Sequence, residues 1–99
     1  MLLSEMNRIQ RVTSIYKALA NSTRLRILSL IAESEDICAK DIGGKLGLSQ
    51  PDISYHLSRL HKVDVLDREK RGTRYCYSVN NETLEYAAIK VKVLISLGN

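Results

Sequence analysis

Tryptophan and phenylalanine are absent from the sequence, and tyrosine, which occurs five times, is the only one of the three large aromatic residues present. Large aromatic side chains usually dominate the core of a small protein. This chain of 99 residues must therefore build its core mainly from leucine, isoleucine and valine. Such a core in so short a chain indicates that a second subunit contributes to stability. The length also disfavours an enzyme with separate binding and catalytic domains.

Long apolar runs and closely spaced cysteines are absent as well. No run approaches the roughly 20 apolar residues that cross a bilayer, and the opening letters, MLLSE, become charged too early for a signal peptide. The two cysteines, Cys38 and Cys76, lack the spacing of a metal finger. We therefore expect a cytoplasmic protein, not bound to a membrane, in which both thiols are reduced. In this interpretation Cys76 packs as a small apolar side chain.

Internal repeats, low-complexity tracts and linkers are also missing, which predicts a single domain over residues 1–99. The charge balance is 15 Lys and Arg against 11 Asp and Glu, or net +4. This excess is compatible with a polyanionic partner but does not establish one.

Apolar residues at three- and four-residue spacing predict helices over most of the chain. The first covers about residues 4–19, the second begins at Asn21 or Ser22, and the last covers about residues 81–97. Gly47 is expected to end a short third helix, and Ser49 to cap a fourth whose buried stripe is Ile53, Leu57 and Leu60. Residues 65–79 alternate as a β-hairpin with a turn at Arg71 and Gly72. The predicted fold is mainly α with a β-hairpin, in the order α-α-α-α-β-β-α.

The third and fourth predicted helices, over about residues 38–62, form a helix-turn-helix. Such a turn exposes the second helix, which then fits the major groove of DNA, about 12 Å wide. Short or planar hydrogen-bonding side chains near the start of that helix suit base edges, and basic ones further along suit phosphate or guanine. The candidates are Ser49, Gln50, Ser54 and Tyr55 for the first role, and Arg59 and Lys62 for the second.

The hairpin over about residues 65–79 carries a cluster of basic residues around its tip, interrupted by Asp67 and Glu69. A hairpin exposed only to water, beside a helical pair that does not bind DNA, is compatible with the same charges. Next to a helix-turn-helix, however, the cluster favours a wing that contacts phosphate. The predicted fold is then a winged helix-turn-helix that binds double-stranded DNA, with wing contacts from Arg68, Lys70, Arg71 and Arg74.

Three segments of the sequence carry distinctive motifs. Residues 19–28 read LANSTRLRIL, residues 48–57 read LSQPDISYHL and residues 71–77 read RGTRYCY. They resemble the patterns L-x-x-x-T-R-L-R-I-L, L-S-Q-x-x-V-S-x-H-L and R-x-G-x-x-x-x-Y of the ArsR/SmtB-type winged-helix repressors. One departure is Asp64, where the family often has glycine; aspartate tolerates the left-handed backbone that such a turn needs.

The resemblance implies a homodimeric transcriptional repressor that binds an inverted-repeat operator. The terminal helices match the dimerisation elements of the family. The interface residues expected on them are Ile9, Val12 and Tyr16 on the first helix, and Leu84, Ala88, Val91 and Ile95 on the last.

Members of the family often sense metals, but the ligands of both family sites are incomplete here. The Cys-x-Cys site corresponds to Cys38 and Lys40, and a charged lysine has no lone pair for a metal. Residues 81–99 contain no His, Cys or Asp for the site on the last helix. We expect His56 to pack or hydrogen-bond, and we expect no metal and no cofactor. The effector is not identified by the sequence.

The sequence is compatible with three alternatives to a plain DNA-binding repressor. Cys38, near a helix start and Lys40, has the surroundings of a reactive thiol, so a redox-responsive repressor is one alternative. A winged helix that binds a protein and not DNA is another, and the acidic residues Asp52, Asp64, Asp67 and Glu69 are compatible with it. The third, an enzyme, is disfavoured because no nucleophile–base pair or carboxylate dyad is evident.

Overall fold

The computed structural model describes residues 2–97, which form five helices and three strands. The winged helix-turn-helix is confirmed, with one strand that the sequence did not predict. In chain order the elements are α1 (Leu3–Leu19), α2 (Ser22–Ser34), β1 (Ile37–Cys38), α3 (Ala39–Leu46), α4 (Gln50–Lys62), β2 (Leu66–Arg71), β3 (Arg74–Val79) and α5 (Asn81–Leu97).

The turn between α3 and α4 follows the local chemistry of its residues. Gly47 ends α3 with φ 66° and ψ 32°, a left-handed conformation that glycine adopts without a Cβ clash. Ser49 precedes α4, and its hydroxyl oxygen accepts a hydrogen bond from the backbone N–H of Asp52 at 3.3 Å. Both predicted roles are confirmed. Together they set the direction in which α4 leaves the turn.

The turn after α4 also takes the backbone conformation expected for it. Asp64 has φ 64°, so an aspartate adopts the left-handed conformation where the family often has glycine. Its carboxylate accepts a hydrogen bond from the Arg11 guanidinium at 3.2 Å, and Arg11 also donates to the carbonyl of Val63 at 3.3 Å. These contacts connect α1 to the end of α4.

The strand β1 turns the predicted hairpin into a three-stranded antiparallel sheet with the order β1-β3-β2. In this sheet Ile37 pairs with Tyr77, and Cys38 pairs with Cys76. Residue 38 was expected to begin the helix-turn-helix, and it is instead both the end of β1 and the N-cap of α3. Two residues are too few to show an alternating pattern, so only their partner strand reveals them.

The expectation of two separate, reduced thiols is wrong. Cys38 and Cys76 lie opposite each other in the β1–β3 pair and form a disulfide. Their sequence separation of 38 residues gives no local signal of this contact. Antiparallel pairing brings the Cα atoms of opposite residues to about 4.5–5.5 Å, which lies in the range that a disulfide spans.

One buried cluster connects the elements, and α4 contributes its predicted stripe to it. Ile53, Leu57 and Leu60 are at most 1% exposed. They belong to the same cluster as Ile15 of α1 and residues of α2, the sheet and α5. Burying this stripe fixes which side of α4 faces outward, because the polar residues at intervening positions must point away from the core.

The terminal helices α1 and α5 pack against each other and leave apolar side chains exposed. Ile9, Tyr16 and Ile95 are 36%, 38% and 64% exposed. Val12, also expected in a dimer interface, is only 5% exposed and is buried within the protomer, because its position on α1 turns it inward. No helix within residues 2–97 is long and apolar enough to cross a membrane.

Candidate nucleic-acid interface

An exposed side of α4, next to its buried stripe, presents a row of polar residues. Ile53 is fully buried, whereas Gln50, Ser54 and Ser58 are exposed. Each of these residues follows the previous one by four positions, so all three lie along one side of the helix. Amide and hydroxyl groups donate and accept hydrogen bonds, so this side offers both functions to a partner.

The wing formed by β2 and β3 places its charges according to the alternation of the strands. Arg68 and Lys70 share one face of β2, and Lys70 pairs with Tyr75 across the hairpin. The guanidinium of Arg68 lies 4.4 Å from the centre of the Tyr75 ring. This cation–π contact holds the Arg68 guanidinium over the face of the Tyr75 ring.

A groove of about 370 Å³ separates α4 from the wing. It contains four of the residues predicted to contact DNA: Gln50 and Ser54 from α4, and Arg68 and Arg74 from the wing. The structure therefore brings the predicted base-reading side of the helix and part of the predicted phosphate-contacting wing to the same groove. Polar groups lie on one wall and guanidinium groups on the other.

Four exposed groove residues were not among the predicted contacts: Lys40, Ser58, Thr73 and Tyr75. For Ser58 a signal was available, since it follows Ser54 by one helical turn. Tyr75 is identified by the register of the hairpin, and Lys40 by the position of α3 beside the wing. The sequence alone contains neither kind of information.

Arg59 and Lys62 lie elsewhere. They line a second groove, of about 510 Å³, between α4 and α1. Arg11 and Lys17 of α1 line the same groove. The structure thus separates these two predicted contacts from Gln50 and Ser54 and places them beside the first helix.

Four other predicted contacts line neither groove: Arg71, described below, and three more. Tyr55 is 56% exposed on the outer side of α4, Ser49 is exposed at its start, and Lys70 is exposed on the wing. All three remain accessible to a large partner that covers α4 and the wing together.

Arg71 differs from the other wing cations because two carboxylates bind it. It donates a hydrogen bond to Glu69 at 3.0 Å and forms a close ion pair with Asp36. The hydrogen bonds to Glu69 and Asp36 raise the pKa of Arg71 above its ordinary value. Both contacts are made by Nη2, so a phosphate that contacts Arg71 competes with two carboxylates for its positive charge.

The recognition helix is also attached to α2 through His56. Nδ1 of its imidazole lies 3.2 Å from Nη1 of Arg24, and the ring meets that of Tyr55 edge-on, with 5.2 Å between centroids. Burial and the adjacent Arg24 charge lower the pKa of His56, and Asp52 acts in the opposite direction. Among residues 2–97 no three His, Cys, Asp or Glu side chains are grouped as metal ligands.

Comparison with known proteins agrees with this arrangement. Residues 21–68 match the model of the arsR family of bacterial regulatory proteins. Over 81 residues the chain is 36% identical to an HTH-type transcriptional regulator of Methanocaldococcus jannaschii, covering 81% of this chain and 91% of the relative. The chain belongs to the arsR family.

Other relatives extend the comparison. The arsR-family chain is 32% identical over 77 residues to the arsenical resistance operon repressor of Staphylococcus xylosus, covering 78% of this chain and 73% of that one. A solved Mycobacterium bovis structure, described as a homodimeric winged helix-turn-helix DNA-binding domain, superposes with a TM-score of 0.78. It is 24% identical, and the match covers 98% of this chain and 91% of that one. This likeness shows the fold.

Membership of the arsR family establishes the general function. The family consists of transcriptional regulators, so this chain is a winged helix-turn-helix regulator and not an enzyme. The prediction that it lacks catalytic activity is confirmed by its relatives. The matched span, residues 21–68, runs from the cap of α2 through the recognition helix into β2.

Proposed function

We propose that this arsR-family regulator is a cytoplasmic, homodimeric repressor that binds an inverted-repeat operator in double-stranded DNA. The observation that carries the proposal is the groove between α4 and the wing, where Gln50 and Ser54 face Arg68 and Arg74. A helix in the major groove reads base edges with polar side chains, while flanking cations contact phosphate. The groove presents those two kinds of group on opposite walls.

In this proposal the contacts divide by role. Gln50, Ser54 and Tyr55 read base edges, because they are exposed along α4 near its start. Ser49 supports these contacts because its hydroxyl caps the start of α4. Phosphate contacts come from Arg59, Lys62, Arg68, Lys70, Arg71 and Arg74.

The geometry of the terminal helices supports the homodimer. Ile9, Tyr16 and Ile95 are exposed on α1 and α5, and Ala88 is exposed on the same strip of α5 as the half-buried Leu84 and Val91. Burying these apolar side chains against a second copy is favourable. A two-fold axis then places the two α4 helices in major grooves about 34 Å apart, so the operator is a pseudo-palindrome.

The proposal does not include the metal sites implied by the resemblance, and it needs no cofactor. Lys40 occupies the position of the second thiolate ligand, and Cys38 is bonded to Cys76. Both facts leave the Cys-x-Cys site without its ligands, since metal binding requires free thiolates.

The proposal is tested with a duplex selected by the wild-type protein from a randomised pool, beside a random duplex, in a salt titration of affinity. Gln50→Ala is expected to weaken binding to the selected duplex by about tenfold or more and to leave the random duplex unchanged. Arg74→Ala is expected to weaken both and to reduce the salt slope by about one unit. The control, Arg26→Ala, removes an exposed cation of α2 outside the groove.

Two outcomes contradict the proposal. If the two variants weaken both duplexes equally, the division into base and phosphate contacts is wrong. If the wild-type protein shows no salt-dependent affinity for any duplex, DNA binding by this surface is wrong, and the winged helix is then a protein-interaction module.

The Cys38–Cys76 bond favours a second candidate, a repressor whose DNA affinity responds to thiol oxidation. The bond joins β1, directly before α3, to the wing strand β3, and Cys38 itself lines the groove. Dithiothreitol reduces the bond to two thiols and is itself oxidised to a cyclic disulfide. The reduced wild-type protein is expected to differ from the oxidised protein in affinity for the selected duplex, and Cys76→Ser to show no such difference. Equal affinities of the two wild-type forms would exclude this candidate.

A further inference from the structure

Arg24 is a charged side chain enclosed by the protein. It lies in the first turn of α2 and is only 6% exposed. Enclosing a guanidinium costs much free energy unless its donors are hydrogen-bonded. Within residues 2–97, no fully buried side-chain nitrogen or oxygen lacks a partner. The partners of Arg24 therefore decide what its burial accomplishes.

Two of these partners belong to the end of α1. Nε of Arg24 donates to the carbonyl of Ala18 at 2.6 Å, and Nη2 donates to the carbonyl of Lys17 at 3.5 Å. The last carbonyls of a helix have no partner within the helix, and the helix dipole makes that end negative. The guanidinium of Arg24 thus supplies hydrogen bonds and positive charge to the end of α1.

The third partner is His56 on the recognition helix α4, at 3.2 Å from Nη1. A guanidinium has only donors, so Nδ1 of His56 must accept and its proton must be on Nε2. The His56 ring in turn meets the ring of Tyr55 edge-on. A continuous series of contacts therefore runs from the end of α1 through Arg24 and His56 to Tyr55.

We propose that Arg24 is a positioning residue that sets the orientation of the recognition helix relative to α1 through Nδ1 of His56. The inference rests on the proposed function, in which α1 contributes to the dimer interface and Tyr55 reads a base edge. Because Arg24 joins α1 to the middle of α4, it determines where α4 lies relative to the two-fold axis. Loss of Arg24 should therefore lower the affinity for an operator with two half-sites more than the affinity for a random duplex.

The contact is sensitive to the protonation of His56. The charged groups that act on this imidazole are Arg24 of α2 and Asp52 of its own helix. Burial and Arg24 keep the pKa of His56 below its ordinary value, so Nδ1 is unprotonated at neutral pH. Acidification through that pKa adds a proton to Nδ1, which removes the acceptor and leaves two cations facing each other. Affinity for the operator should therefore be highest at neutral pH, where the contact is intact, and should fall on acidification.

The test compares three substitutions, because a variant of buried Arg24 alone risks unfolding. His56→Leu removes the acceptor, His56→Asn places Oδ1 where Nδ1 was and does not titrate, and Arg24→Lys keeps the charge with fewer donors. The probes are a duplex selected by the wild-type protein and a random duplex, measured between pH 7.5 and 5, with circular dichroism as the check of folding.

At neutral pH we expect His56→Leu and Arg24→Lys to bind the selected duplex about tenfold more weakly, and the random duplex within about twofold of wild type. His56→Asn should bind the selected duplex nearly as the wild type does at neutral pH. It should also lose the fall in affinity on acidification. A residue with only a structural role would not produce this change in the pH profile.

Two results would overturn the inference while leaving the proposed function intact. One is a folded His56→Leu protein that discriminates the selected from the random duplex as well as the wild type does. The other is a His56→Asn protein with the same acid-dependent loss of affinity as the wild type. A wild-type protein with no salt-dependent DNA binding would overturn the proposed function and this inference together.

Discussion

Arg71 illustrates how neighbouring residues change the role of a single side chain. From its place in the basic cluster it was expected to contact phosphate, yet Asp36 and Glu69 bind it in the structure. Exposed ion pairs contribute little to stability because water screens them. They nevertheless determine which wing cation is already paired with carboxylates before DNA binds. Asp36, before β1, is 35 residues away in sequence, so no local pattern indicates this contact.

Removing the Asp36 carboxylate tests whether it competes with DNA for Arg71. Asp36→Asn should raise affinity for a random duplex by up to about fivefold at low salt, because Arg71 then loses a competing partner. The measurement is a salt titration of binding. Glu35→Gln is the matched control, since it removes the same charge from the adjacent exposed residue, for which the structure shows no ion pair with Arg71. Equal gains in both variants would attribute the effect to net charge alone.

At the scale of elements, short-range signals predicted the helices and their ends. Asn21 precedes α2 and accepts a hydrogen bond from the backbone N–H of Arg24 at 2.9 Å, as a capping residue is expected to do. Gly47 and Ser49 occupy their predicted positions around the turn. These features depend on residues within a few positions of each other, so the sequence contains the necessary information.

The strand β1 could not be predicted from such short-range signals. Its two residues have no periodicity of their own, and they form a strand only because β3 lies beside them. The Cys38–Cys76 bond depends on the same pairing and was missed for the same reason. Pairing between distant segments is a property of the folded chain and not of either segment.

Two glycines of the helix-turn-helix give opposite predictions for stability. A Cβ added at Gly47 or Gly44 meets no atom within 4 Å, so backbone conformation alone decides the outcome. Gly47→Ala should lower the free energy of unfolding by about 1–2 kcal/mol, because φ is +66° there. Gly44→Ala, inside α3, should raise it by about 0.5–1 kcal/mol. Urea denaturation measures both, and a change of the same sign in the two variants would contradict this explanation.

At the scale of the whole molecule, the small core and the exposed apolar side chains of α1 and α5 have one explanation. The core lacks tryptophan and phenylalanine, and apolar side chains of α1 and α5 remain exposed. A second copy that covers them would add buried apolar surface that the protomer lacks. Of the predicted interface residues, Val12 is the one that the protomer has already buried.

The homodimer is tested on the exposed strip of α5. Ile95→Glu places a charge on a side chain that is 64% exposed and that we propose is buried between copies. We expect sedimentation to show mainly monomer, and affinity for the selected duplex to fall because two half-sites are no longer bound together. Ser96→Glu adds the same charge at an exposed neighbouring position on a different side of α5 and should remain dimeric. Dissociation of both variants, or of neither, would contradict the interface.

The sequence by itself determined the helices, their caps and the winged helix-turn-helix, and motifs such as LSQPDISYHL indicated the family. These depend on periodicity and on contacts between near neighbours along the chain. Only the tertiary structure decided which candidate residues meet in the groove, that Asp36 binds Arg71, and that Arg24 joins α1 to His56. Arg24 and His56 are 32 positions apart in the sequence, and Asp36 and Arg71 are 35 apart. The physical reason is that their distances are set by the packing of whole helices and strands, which no local pattern contains.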